Sequence, residues 1–324
     1  MSTQSHPHAE FPLGPFTPYE NNPILRPQGG GWESGSIYNP AAVVKDGQVV
    51  LLYRAHAEDI VSHVGLATSD DGITFERHPE PVLSPTEDYE RYGAEDPRVT
   101  EIDGVYYMTY TGWDRKNAVL CLATSTDLFS WTKHGPMFPE FNTFLPRGNG
   151  VDGPWSKAGG ILPEKVNGRY LMYFGEGSIY YAWSDDLITW EPCPQDEPVM
   201  VPTPPGTFGE FLVEVGPPPI VTDNGLIMLL HNAAVKFEDG TVRYTCGQLL
   251  FDPADPGTIL AEMKKPWLEP STYEDQHGLV SNVTFVEGLV QFKDAWFTYY
   301  GQSDSTLGVA THKVGDRYST LGSR

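Results

Sequence analysis

Eight polar residues recur at matching places along this chain, and their types suit the chemistry of a glycosidic bond. Asn39 and Asp96 each stand eight residues before a turn glycine, and Glu214 stands eleven before one. Arg54, Asp114, Glu176, His231 and Asp304 each follow a run of apolar and aromatic residues. Glu95, Arg98 and Lys157 lie close to them in sequence. Cleaving a glycoside requires one carboxyl to act as acid and another as base, with hydrogen-bonding groups to grip the hydroxyls. Aromatic faces, plentiful here, can stack on sugar rings. Other chemistries lack their signatures. No HExxH occurs, and the one HxH, His6-Pro7-His8, lies in the N-terminal segment outside the recurring units, so neither metal nor cofactor is expected. GxSxG, a P-loop and a strand-borne GxGxxG are all absent, which disfavours a serine hydrolase or a nucleotide enzyme.

Any one of these acids has a plainer reading. With 43 Asp and Glu in the chain, most must be solvated or cap turns. What singles out this set is where the surrounding elements would place it. An apolar run, an Asx-Gly turn and a second apolar run ending in aromatics recur at 39–53, 96–110, 160–173 and 218–230, with a looser copy at 282–300. Asn-Gly or Asp-Gly between such runs is a strong hairpin signal, since both turn residues need positive φ. The turn glycines Gly47, Gly104, Gly168 and Gly225 are 57, 64 and 57 residues apart. A second unit, ATSDDGITF, ATSTDLFSW or AWSDDLITW, follows three of the hairpins and supplies two further strands. Five units of four antiparallel strands predict an all-β fold, a five-bladed β-propeller forming one domain over 1–324, with 1–18 as an extended N-terminal arm. First-strand starts and second-strand ends of the blades share one mouth. All eight residues should therefore line one funnel, a concave site of convergent polar groups.

Composition narrows the partners. The chain has 324 residues, 21 Lys and Arg against 43 Asp and Glu, and a net charge of −22. Such a field repels phosphate backbones and anionic bilayers, so no nucleic-acid or membrane partner is expected. Aromatics at 12%, 33 Gly and 29 Pro fit a turn-rich β fold with a large core. Cys121, Cys193 and Cys246 are odd in number and scattered, which suits a reducing compartment. With no secretory signal at the start and no long apolar stretch, a cytoplasmic protein is expected, and a homo-oligomer is compatible with the sequence.

The ordered motifs NPA…LLYRA, GLATSDDGITF, GAEDPRVT…YYMTYTGWD, PPPIVTDNG, LLFDPADPGTI and YYGQSD resemble glycoside hydrolase family 130 over roughly 20–312. The resemblance implies a five-bladed propeller acting on β-mannosides, often as a phosphorylase. It implies that Asp96, in the EDPR motif, is the general acid of an inverting reaction, its proton passing through the mannose 3-hydroxyl. Asn39, Arg54, Asp114 and Asp304 match positions that hold the sugar beside the scissile bond.

Two positions depart from the phosphorylase pattern. Where phosphorylases of the family place an Arg after the second strand of blade three, this chain reads LMYFGEGSIYY, with Glu176. Glu214 occupies a position that is not acidic in them. The hydrolytic members, which are β-1,2-mannosidases, use two glutamates there to activate water. Lys157, His231 and Tyr244 still match phosphorylase-like positions. Two carboxylates beside a bound phosphate would cost a few kcal/mol even at an effective dielectric of about 20. The expectation is an inverting exo-β-mannosidase for β-1,2-linked mannosides. Asp96 would be its acid, and Glu176 with Glu214 its base pair. Arg98, Lys157, His231 and Tyr244 would join the substrate-binding set. Asp96 is expected to have a raised pKa once substrate is bound. The alternatives are a phosphorylase, a non-catalytic carbohydrate-binding propeller, or another glycosidase on the same scaffold. The loops 141–156 and 203–213 are expected to carry specificity.

Overall fold

Each middle strand of this chain is apolar on both faces, and that fact organises the architecture. Val49, Leu51 and Tyr53 pack to one side of their sheet while Val50 and Leu52 pack to the other. Such a sheet must be covered twice, as it is when sheets stand face to face around a ring. The computed structural model, which describes residues 11–144 and 153–315, has this arrangement. After a two-residue strand β1 (Thr17–Pro18), blade one comprises β2 (Ser36–Lys45), β3 (Gln48–His56), β4 (His63–Ser69) and β5 (Glu76–Arg77). Blade two comprises β6 (Gly93–Ile102), β7 (Val105–Trp113), β8 (Ala118–Ser125) and β9 (Thr132–Pro136). Blade three comprises β10 (Gly159–Ile161), β11 (Tyr170–Phe174), β12 (Tyr180–Ser184) and β13 (Glu191–Pro192).

Blade four has an inner edge split into β14 (Leu212–Val215) and β15 (Ile220–Val221), both pairing β16 (Ile227–Lys236), followed by β17 (Val242–Asp252) and β18 (Asp255–Glu262). The intervening Pro217, Pro218 and Pro219 have no N–H to give the ladder, which breaks the edge there. Blade five comprises β19 (Thr284–Phe292), β20 (Ala295–Gln302) and β21 (Thr306–Lys313). All pairings in these sheets are antiparallel. The fold is therefore the expected all-β five-bladed propeller. Five apolar clusters fill it, each lying between two neighbouring blades.

The expected turns are present. Asp46-Gly47, Asp103-Gly104 and Asn167-Gly168 all have both residues at positive φ. The Asn224-Gly225 turn differs, because only its glycine does. Ser69, Ser125 and Ser184 each donate to the aspartate two residues on and accept the N–H three residues on, so the repeated Ser-x-Asp motif is a repeated turn.

Of the extended arm expected over 1–18, residues 11–18 are described, and they pack on the propeller. Phe11, Leu13 and Phe16 are buried against blades four and five, and β1 pairs with Ala310 and Thr311 of β21. The start of the chain thus supplies the outer strand of the last blade. This covers a sheet edge that would otherwise stay unpaired. Among the described residues no helix is long and apolar enough to cross a membrane.

Candidate active site

The inner strands carry a recurring irregularity that aims side chains inward. In β2 the pairing register shifts between Tyr38 and Pro40, and in β6 between Glu95 and Arg98. The residues left in these bulges, Asn39 and Asp96, have φ of 51° and 52°. In blade three the Gly175 N–H is shared by the carbonyls of Lys157 and Ala158, the latter at φ 64°. A bulge re-aims a side chain without ending the sheet. In blades one and two it turns Asn39 and Asp96 towards the axis.

Asp96 lies at the centre. Its Oδ1 accepts from Asn39 Nδ2 at 2.6 Å and Arg54 Nη1 at 2.9 Å, and Lys157 Nζ stands 3.2 Å from Oδ2. Arg54 also bonds Glu95 at 2.8 Å and Ser62 at 2.9 Å, with its guanidinium 4.6 Å from the Tyr38 ring. Glu176 and Glu214 meet through a backbone bridge between blades three and four. Gly175 and Gly177, at φ 119° and 83°, make the sharp turn that presents Glu176, a conformation L side chains avoid. Trp155 Nε1 donates to Glu176 Oε2 at 2.5 Å, and Thr143 Oγ1 to its carbonyl at 2.6 Å. Lys157 Nζ is 3.8 Å from Glu176 and 3.7 Å from Glu214. Acid and glutamates therefore face one ammonium. The legs through Nζ, 3.2 Å to Asp96 and 3.8 and 3.7 Å to the glutamates, cap the separation of these oxygens in the lower part of the ~6.5–9.5 Å inverting range.

Charge is unevenly compensated across this site. Burial acts to raise the Asp96 carboxyl, but Lys157, Arg54, Arg98 and the Asn39 hydrogen bond together hold it well below the usual carboxylate range. Burial pushes Glu214 well above that range, Lys157 opposing and Glu176 adding to the rise. Glu214 Oε1 is buried without a hydrogen-bond partner. Burial also raises Glu95, despite Arg54, and brings Asp304 to about 6. Burial acts to lower Lys157, yet Glu176, Glu214 and Asp96 raise it well above its ordinary value. Tyr244 is raised by burial, then by Glu176, Glu214 and Asp304, which sets it beside the same acids.

The sequence-derived set divides accordingly. Asn39, Arg54, Glu95, Asp96, Lys157, Glu176 and Glu214 form one connected cluster. Asp304 and Tyr244 border it electrostatically. Asp114 does not join it through any described contact. Its carboxylate accepts from Lys116 N, Asn117 N and Asn117 Nδ2 within its own turn. His231 is not at a strand end either, because β16 continues to Lys236. It is buried beside Phe208, with no partner on either nitrogen, and burial lowers it to about 3.

Arg98 departs from its expected contact with substrate. It lies beneath the funnel, 1% exposed, donating to the carbonyls of Gly216, Val215 and Asp96. Sequence reasoning missed Trp155, Tyr38 and Glu287. For Glu287 a signal existed: a lone charge inside the β-rich run FVEGLV. Of the specificity loop 141–156, residues 145–152 lie outside the described residues, as does His6-Pro7-His8.

Comparison with known proteins gives the family. A family model described as beta-1,4-mannooligosaccharide phosphorylase, that of glycoside hydrolase family 130, matches residues 21–317. A 1,2-beta-oligomannan phosphorylase from a Thermoanaerobacter species is 35% identical, over 91% of this chain and 96% of that one. A glycosyl hydrolase structure from Bacteroides ovatus is 35% identical with a TM-score of 0.84, covering 95% and 96% of the two chains. A further structure comes from work on glycoside hydrolases, within the family of mannoside phosphorylases, that target beta-1,2 mannosidic linkages in Candida mannan. It is 33% identical with a TM-score of 0.85 and covers 98% of both chains. By its motifs, its fold and these matches, the chain belongs to glycoside hydrolase family 130.

Proposed function

We propose that this protein is an inverting exo-acting β-mannosidase that hydrolyses β-1,2-linked manno-oligosaccharides, with water as the nucleophile. One observation carries the choice of water. The ammonium of Lys157, which could serve a phosphate, already faces Asp96, Glu176 and Glu214 at 3.2–3.8 Å. A dianion entering there would meet Asp96, Glu176 and Glu214 around the cation it needs, while Arg54 and Arg98 are already engaged by Asp96, Glu95 and Glu287, at a cost of a few kcal/mol even at an effective dielectric of about 20. His231 offers no charge in compensation, since it is buried and neutral at physiological pH.

In this reading Asn39, Arg54, Tyr244 and Asp304 hold the terminal mannose, and Arg98 holds the floor beneath it. Glu214 can take the proton of water only as the carboxylate, so the proton that burial favours on it in the free site has to leave when sugar binds, while Glu176, fixed by Trp155, orients the water. Asp96 is ionised in the free site. Bound sugar must therefore screen it from Lys157 so that it takes up a proton, which it then passes through the mannose 3-hydroxyl to the leaving oxygen.

Phosphorolysis is the second reading. It is favoured by the 35% identity to a relative named as a phosphorylase and by the retention of Lys157. Incubation with β-1,2-mannobiose, with and without inorganic phosphate, separates the two. Hydrolysis predicts free mannose at a rate indifferent to phosphate. Strict dependence on phosphate, with mannose 1-phosphate as product, overturns the hydrolase reading.

A further inference from the structure

Blade five carries the same inward bulge as blades one and two. In β19 the register shifts between Val286 and Gly288, and the residue left over is Glu287. Asn39 and Asp96 occupy the corresponding places and both reach the reaction centre. Glu287 instead lies deeper, fully buried. Its Oε1 is 3.0 Å from Arg98 Nη2, and neither carboxylate oxygen has a hydrogen-bond partner of its own.

Arg98 starts in blade two, yet its partners belong to blades four and five, which are not neighbours of blade two in the ring. Its side chain therefore crosses the central channel. Nε and Nη2 each donate at 2.7 Å to the carbonyls of Gly216 and Val215, where the triple proline interrupts the inner edge of blade four. Nη1 donates to the carbonyl of Asp96 at 3.2 Å, and Nη2 stands 3.8 Å from Glu214 Oε1. One guanidinium thus touches the main chain of the acid and the strand that carries the base. A buried ion pair is weak support for stability, and apolar residues often replace one without loss, so its contribution has to be sought in geometry.

We infer that Glu287 and Arg98 form a positioning pair across the channel, which fixes the Asp96 main chain and the Glu214 strand and governs how much of the Arg98 charge Glu214 receives. The inference rests on Glu214 being the base. Glu287 is faced by Arg98 and Asp96 from β6, Arg54 from β3 and Lys157 ahead of β10. Glu214 is faced by Lys157, Glu176, Arg98 and Asp96. Burial brings the Glu287 carboxyl to about 8, Arg98 opposing, so the two acids compete for the same cation only where Glu287 ionises, above about that pH.

Glu287→Gln keeps the shape and removes the competitor. Measured on β-1,2-mannobiose, kcat should fall by about tenfold or more while KM stays within ~3-fold, as expected for mispositioned groups. The difference from the parent should widen above about pH 8, where Glu287 ionises and draws the Arg98 charge away from Glu214. A kcat and pH profile that superimpose on those of the parent, with only the melting temperature changed, overturn the proposal. Should Glu287→Gln not fold, Arg98→Lys replaces it. It keeps one charge but cannot reach three carbonyls, so kcat should again fall with KM held, and an unaltered kcat overturns the proposal. Failure of the base reading shows separately, as a parent enzyme inactive without phosphate. The proposal then predicts a loss of phosphorolytic kcat through Asp96, and an unchanged phosphorolytic kcat overturns it.

Discussion

The two sides of the funnel handle the same residue type in opposite ways. On the side of blades one and two, Asp96 is saturated: Asn39, Arg54 and Lys157 occupy its two oxygens and hold it ionised. On the side of blades three and four, Glu214 is starved. It shares Lys157 with Glu176, touches Arg98 only at 3.8 Å, and retains an unpartnered oxygen. Both carboxyls are buried, so burial alone does not distinguish them. The number of cations within reach does. The distribution of three cations pushes the two proton affinities apart. In the free site it does so against the assigned roles, holding Asp96 ionised and favouring the proton on Glu214. Bound sugar therefore has to reverse the order before Asp96 can act as acid and Glu214 as base.

The largest break in that comparison should come from Asp96→Asn. Hydrolysis should fall on the order of a thousandfold or more, with the circular dichroism spectrum retained. Substantial residual turnover would remove Asp96 from the chemistry. Next come Glu176→Gln and Glu214→Gln, each expected to slow hydrolysis on the order of a hundredfold. If both were indifferent, the starved side would have no catalytic meaning.

Asp304 sharpens the comparison through stability. Its carboxyl sits at about 6 against an ordinary 3.8, raised by burial despite Arg54. The folded chain binds that proton more tightly than the unfolded chain does. This contribution is therefore fully present below about pH 4 and is lost as pH rises towards 6. Asp304→Asn should melt a few degrees above the parent at pH 7.5, with the gap closing at pH 4. An equal gap at both values would mean that titration is not the cause. Smallest of all should be His231→Gln, which lies outside the connected cluster: less than about a tenfold change in kcat/KM. A larger loss would bring that imidazole into the reaction.

Much of this was legible in the chain because it is local. The Asx-Gly turns and Ser-x-Asp turns are written in adjacent residues, and they fix where four blades fold back. Strand-end position then led to Asn39, Arg54, Asp96 and Glu176. What was missed or misread is not local. Pairing of Thr17 with Thr311 joins the two ends of the fold, and no nearby residue announces it. The channel crossing of Arg98 depends on a proline break more than a hundred residues away. Asp114 looked like its counterparts but satisfies its own turn, a choice made by Lys116 and Asn117. The inward turn of Glu287 is a one-residue slip in register, which apolar patterning does not encode.

The choice between water and phosphate is tested most directly by supplying both. Turnover of β-1,2-mannobiose in oxygen-18 water containing inorganic phosphate should place the label on the anomeric carbon of released mannose, with the α-anomer appearing first. Unlabelled mannose 1-phosphate as the main product would contradict the account.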